Sequence, residues 1–172
     1  AFSSQLPLSG DLDEYGVHFE PEPGGPREGG YSTFRYAVTP GYLETMGIPL
    51  LKGRMLDERD GSGAPISVLI SEALATRKFG SVDPIGRRLY VGREGQPWYT
   101  IVGVVGDVKQ ASLATSESDA VYIPTVQWYS VDNVLSLVVR TRGDAGTMAP
   151  AIRNAIWSVD EDQPVVRIAM MD

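Results

Sequence analysis

The strongest constraint on this chain is the shortness of its apolar runs and the regularity with which glycine and proline interrupt them. The longest uninterrupted apolar-and-glycine run is Ile101-Val-Gly-Val-Val-Gly106, whereas a helix that spans lipid needs roughly 20 apolar residues. No membrane-crossing helix, signal peptide or stop-transfer segment is expected. The short runs read as strands. Phe34–Val38 alternates, with Phe34, Tyr36 and Val38 on one face, and Ile66–Ile70 is apolar enough to be buried on both. Arg88–Val91 and Trp98–Val105 form a hairpin around Gly92-Arg-Glu-Gly95. Val121–Ile123, Leu135–Val139 and Val165–Ala169 complete the set, with a short strand or strand end within residues 2–8.

Helical periodicity appears in fewer places. Pro40 opens a short helical turn through Tyr42, Leu43 and Met46, and Gly47 closes it. Ser71 caps a helix over Glu72–Phe79 that Gly80 stops. Met148, Ala151, Ile152, Ala155, Ile156 and Val159 recur at the spacing of one buried helical face. Pro150 belongs in that helix's first turn, which favours Thr147 over Asp144 as its cap. The pattern is mixed α+β, plausible for one domain or two small lobes in 172 residues.

The net charge of −7 is unevenly spread. Residues 1–32 carry Asp11, Asp13, Glu14, Glu20, Glu22 and Glu28 against Arg27 alone. Gly10–Tyr31 is also rich in glycine and proline without periodicity, so 10–32 reads as a mobile acidic loop and the first place to look for a partner contact. Neither nucleic acid nor an anionic membrane surface suits such a charge distribution.

A search for chemistry returns little. With no cysteine, disulfides and thiolate metal sites are excluded. The one histidine, His18, lies in the acidic loop. Asp11, Asp13, Gly16 and Glu22 sit at calcium-loop spacing, but Tyr15 replaces a ligand and no helices flank the stretch, so a fortuitous acidic loop is the reading. Asp57, Glu58 and Asp60 beside Arg54 and Arg59 read as a solvated turn with local ion pairs. No Gly-x-Ser-x-Gly elbow or phosphate loop occurs, and Gly103-Val-Val-Gly106 marks a bulge or a close backbone approach. No nucleophile–base pair, metal site or cofactor site emerges, and the chain reads as non-enzymatic.

Val38-Thr-Pro-Gly-Tyr-Leu-Glu-Thr-Met-Gly-Ile-Pro-Leu-Leu-Lys-Gly-Arg54 followed by Asp60, Ile66–Ala75 with Phe79 and Asp83-Pro-Ile-Gly86, and Tyr99–Asp107 stand in a fixed order. Together they resemble the blocks of MacB/FtsX-like ABC transporter permeases, in their periplasmic core domain, and the wording is nearest to permeases that carry the unit twice. Leu43 departs from the family's usual Phe, and the first strand–helix unit is reduced to residues 2–8. The resemblance implies a porter-like β-α-β lobe (1–9 and 134–172) with a strand-rich α+β lobe inserted (33–128). It implies structural roles for Gly41, Tyr42, Gly47, Gly53, Arg54, Asp60, Asp83, Pro84 and Gly86, with Arg54 and Asp60 bridging a turn. It also implies mechanotransmission in the periplasm without catalysis or cofactor. The partners would be transmembrane helices of the same permease, a separate cytoplasmic ATPase and periplasmic proteins. The competing class is a free-standing solute- or protein-binding module, with Trp98, Trp128 and Tyr129 as pocket walls.

Overall fold

The alternation in Phe34–Val38 extends to an eight-residue strand, β3 (Tyr31–Val38), whose two faces serve two different cores. The computed structural model describes residues 1–10, 13–25, 29–110 and 119–170. By its contacts the chain divides into Ala1–Val138 and Val139–Asp172.

In the first unit, β2 (Glu14–Phe19), β6 (Arg88–Val91), β7 (Tyr99–Val105), β5 (Ser67–Ser71), β8 (Ala120–Pro124) and β3 are neighbours in that order. Because β3 also pairs with β2, the ring closes into a barrel. The β3–β8 and β5–β7 pairs are parallel, and the other pairs around the ring are antiparallel. Closure satisfies both edges of every strand in the ring, removing the open ladder that would template aggregation. Val17, Ala37, Ile70, Val91, Ile101 and Ile123, one from each strand, belong to a single buried cluster that fills the interior.

The opposite face of β3 builds a second core. Phe34, Tyr36 and Val38 pack with Tyr122 of β8 under α1 (Tyr42–Met46), whose Tyr42 and Leu43 are buried. The short β1 (Phe2–Ser3) pairs with the end of β3 and with β9 (Ser136–Leu137). Ser71 caps α2 (Glu72–Phe79), accepting the Leu74 N–H, and Gly80 ends the helix. β4 (Leu50–Gly53), which the sequence pattern does not announce, is exposed throughout and joins β7.

The segment read as a loop over 10–32 needs correction, because it holds β2. Tyr15, Val17 and Phe19 face the interior cluster while Gly16 and His18 alternate with them. That period-2 signal is masked by the glycine, the histidine and the acids at its ends. His18 stacks on its cross-strand partner Tyr90 with ring centroids 4.7 Å apart, and lies against Gly30, where any Cβ would come within 2.6 Å of the ring.

The second unit contains a 3-10 turn (Ala145–Met148) running into α3 (Ala149–Val159). Thr147 is not the cap: the Asp144 carboxylate caps the 3-10 turn by accepting the Gly146 N–H, and α3 continues from it without a side-chain cap. The expected buried face of α3 is not found, since no residue of the helix is buried. No strand forms over Val165–Ala169 either. This stretch finds no ladder partner among the described residues, and Val166 is 90% exposed. A unit this small has little capacity to bury a core of its own.

Candidate functional site

Gly41, Tyr42, Gly47, Gly53, Arg54 and Asp60 lie on the chain that leaves the barrel after β3, and Asp83, Pro84 and Gly86 on the turn into β6. Gly41, Gly47, Gly53 and Gly86 all have positive φ. The requirement is sharpest at Gly53, where a Cβ would stand 2.3 Å from the Val102 carbonyl oxygen. Across from it, a Cβ on Gly103 would stand 2.4 Å from the Arg54 carbonyl. Two glycines facing each other in the register thus let β4 pair closely with β7 and deliver Arg54 into the following turn. The β5–β7 register slips at Val102, just before the Gly-x-x-Gly segment, and Gly103 within the segment makes the close approach.

Arg54 grips Asp60 with both terminal nitrogens at 2.7 Å, and donates to the Met55 carbonyl at 3.0 Å. Asp60 is 3% exposed and also accepts the Asp57 N–H at 3.0 Å, completing a capping box on the 3-10 turn Glu58–Asp60. Burial, the largest influence on Asp60, pushes its carboxyl up. The hydrogen bonds from Arg54, the Asp57 N–H and Ser67 outweigh burial and hold the group below its ordinary range. On the surface, Arg59 chelates Asp57 and lowers its pKa in the same way. Asp83 accepts the Ile85 N–H at 3.0 Å, Pro84 accepts the Arg87 N–H at 3.1 Å, and Gly86 donates to Ile101 at 2.9 Å, which fixes the turn into β6. All these groups are occupied in holding backbone, and none is poised as an acid, base or nucleophile.

This clasp forms one wall of a cavity of about 280 Å³ at the carboxyl ends of the parallel strands β3 and β8. Val38, Leu56 and Pro124 give it apolar surface, and Val126, 61% exposed, stands among its lining residues. Gln127 follows the lining residue Val126 and ties the lining residue Gly61 in place. Its amide donates to the Gly61 and Pro65 carbonyls and accepts the Ser67 N–H. Nothing in the sequence marks Gln127, because its partners lie some sixty residues away.

Among the described residues, the acids of the N-terminal segment do not gather into a common site. Glu14 accepts from Ser32 at 2.6 Å, Glu20 is paired with Arg88, and Glu22 lies 2.6 Å from Arg87. Asp11 and Glu28 lie outside the described residues. β2 alone sets Glu14 and Phe19 about 16 Å apart at about 3.3 Å per residue, so the acids before and after the strand leave from opposite ends of it. Among the described residues no group of three potential metal ligands forms.

Asp13 instead serves a buried centre absent from the sequence reading. Arg35, on β3, is 2% exposed and binds Asp13. It also forks onto Asp132 at 2.9 and 2.8 Å. Its guanidinium lies 4.6 Å from the Trp128 ring centroid and 5.3 Å from that of Tyr15. Burial acts against the Arg35 charge, and the bonds to Asp132 with the fields of both aspartates outweigh it. The aromatics considered as pocket walls are committed elsewhere. Trp128 rests on Arg35 and Tyr129, and Trp98 meets Tyr90 edge-on. A last buried cluster, Tyr36, Tyr42 and Tyr122, stacks between β3, α1 and β8, with Tyr36 donating to Gln110.

The family model of the MacB-like periplasmic core domain matches residues 16–156, and the chain belongs to that family. Among solved structures it is similar to the periplasmic region of MacB from Actinobacillus actinomycetemcomitans, with a TM-score of 0.62 and 14% identity. That match covers 92% of this chain and 66% of the other, so the chain spans just under two thirds of that region. It is also similar to the extracellular domain of the noncanonic ABC-type transporter YknZ from Gram-positive bacteria. There the TM-score is 0.52 at 16% identity, covering 83% of this chain and 71% of that one. At these identities the structural likeness is one of fold. No curated protein matches the chain significantly. Among the described residues no helix is long and apolar enough to cross a membrane.

Proposed function

We propose that this chain is the extracytoplasmic domain of a MacB/FtsX-like ABC transporter permease, transmitting conformational change and contacting partners rather than catalysing a reaction. The observation that carries the reading is the family match over 16–156. The motif residues support it, because they serve as backbone clasps and turn locks rather than as reactive groups. The partners are the transmembrane helices of the same polypeptide, a separate cytoplasmic ATPase, and periplasmic proteins. The division into a porter-like lobe (1–9 and 134–172) around an inserted lobe (33–128) belongs to the same proposal, as does a contact role for the acidic residues of 10–32.

Motion is the testable content. This chain contains no cysteine, so Glu58→Cys with Glu161→Cys gives one spin-label pair in a parent permease cleared of any cysteine elsewhere. Electron–electron distance distributions recorded nucleotide-free and ATP-trapped should differ in peak position. Identical distributions in a preparation that hydrolyses ATP would defeat the mechanotransmission reading.

A further inference from the structure

The cavity beside the Arg54–Asp60 clasp has a construction that the transmission role does not need. The clasp and the capping box fix Asp57 and Asp60 in its lining, and the Gln127 amide holds the lining residue Gly61, yet the space beside them stays open. Its volume of about 280 Å³ falls just below the roughly 300–1,000 Å³ of pockets that enclose whole small molecules. It suits one aliphatic side chain better than a complete solute. Exposed Val126 among the lining residues adds apolar surface that a buried anchor would cover.

Charge selects the neighbour of that anchor. The lining includes Asp57, Glu58 and Asp60 and no lysine or arginine. Arg54 neutralises Asp60 and Arg59 neutralises Asp57. Glu58 forms no ion pair among the described residues and is exposed. An incoming cation next to the anchor therefore meets an unmatched carboxylate, whereas an incoming anion meets like charge.

We infer that this cavity is a docking site for a segment of a partner protein that inserts an aliphatic side chain flanked by lysine or arginine. The inference rests on the partner-contacting half of the proposed function and gives that partner a chemistry. A single anchor in a pocket with a charged rim makes a weak contact by itself, and several copies or a second surface would raise its avidity.

The probe is the blocked peptide Ac-Gly-Leu-Lys-Gly-NH2, titrated into the ¹⁵N-labelled chain. Saturable amide shifts at Thr39, Gly61, Thr125 and Val126 are expected, with a Kd in about the millimolar range. Ac-Gly-Leu-Glu-Gly-NH2 should bind at least about tenfold more weakly. Glu58→Lys should reverse that preference, an outcome that a misfolded variant cannot produce. Val126→Asp should weaken the lysine peptide while leaving the spectrum elsewhere unchanged. Absence of saturable shifts, equal response to both peptides, or hexylammonium binding as tightly as the lysine peptide would each overturn the proposal, the last in favour of a small-molecule site. The titration uses the chain without ATP-driven motion, so its failure and a failure of the spin-label experiment are separable.

Discussion

Arg54→Ala is expected to strand the Asp60 carboxylate. Asp60 is 3% exposed, and of its bonds to side chains and backbone, the two at 2.7 Å come from Arg54. Removing one partner of a buried pair costs about 3–5 kcal/mol, because the remaining charge is left desolvated. Arg54 itself is 36% exposed on its side chain, so water can enter where the guanidinium stood, and the lower end, about 3 kcal/mol, applies. For a chain of this size that lowers the melting temperature by about 6–12 °C at neutral pH.

The same pair gives the effect a pH signature. In the wild type the Asp60 pKa lies below its ordinary 3.8, so its stabilisation is present above that value. It is lost as pH falls through the folded pKa. Without Arg54, burial, already the largest single influence, is opposed only by the Asp57 N–H and Ser67, so the Asp60 carboxyl is expected to rise. The variant then loses less stability than the wild type as pH falls from neutrality towards 4. The melting-temperature gap between wild type and variant should therefore be widest near neutral pH and shrink in acid, at up to about 1.4 kcal/mol per pH unit for one proton. Calorimetry between pH 3.5 and pH 7 (roughly the carboxylate titration range) reads this directly. A gap that is constant across that range, or under about 1 kcal/mol at pH 7, would refute a buried, Arg54-dependent Asp60.

Alkaline pH should act through the tyrosines. Burial pushes the Tyr36, Tyr99 and Tyr122 phenols far up and Tyr42 to about 12. Their folded pKa values exceed the unfolded value of about 10, so their stabilisation erodes above pH 10 at about 5 kcal/mol per pH unit for all four. Tyrosinate absorbance from these four should arrive together with loss of the far-ultraviolet dichroism, and ionisation with the fold intact would count against the burial described. Gly53→Ala and Gly41→Ala share a positive φ, but a Cβ meets backbone only at Gly53. Both should therefore pay a left-handed penalty of about 1–2 kcal/mol, and Gly53→Ala should cost clearly more in urea unfolding; equal costs would deny the close pairing. Arg35→Lys keeps the charge but not the fork onto Asp132, so it should destabilise by more than about 1 kcal/mol and alter Trp128 fluorescence. A silent substitution would mean that the fork contributes nothing.

The legible parts of the fold are those specified by neighbours in sequence. Ser71 three residues before Leu74, Gly47 after Met46, and Asp83 two before Ile85 are local hydrogen-bonding devices, and each is found making its bond. The Arg54–Asp60 bridge was legible for the same reason, since both residues lie on one turn. Barrel closure was not, because it depends on β2, where Tyr15, Val17 and Phe19 alternate with Gly16 and His18 amid acids that mimic a loop. Arg35 was equally hidden. It lies opposite Phe34 and Tyr36 in the pleat, a position that reads as solvent-facing until closure turns that face inward. Its partners Asp13 and Asp132 are 22 and 97 residues away.

That concealment bears on what the motif does. Four carboxylates of the acidic N-terminal segment that have defined positions are held by this chain's own Arg35, Ser32, Arg88 and Arg87. For these four, segregation of charge in sequence did not leave the carboxylates without partners in space. The turn after β4 behaves in the opposite way: its acids and arginines nearly balance in sequence, yet the pairing of Arg54 with Asp60 and Arg59 with Asp57 leaves Glu58 uncompensated beside an apolar cavity. Unmatched charge next to open apolar space is the feature on which the proposed docking site rests. On that proposal the motif's clasp has a second consequence beyond stability, because the bonds that bury Asp60 also hold Glu58 at the cavity.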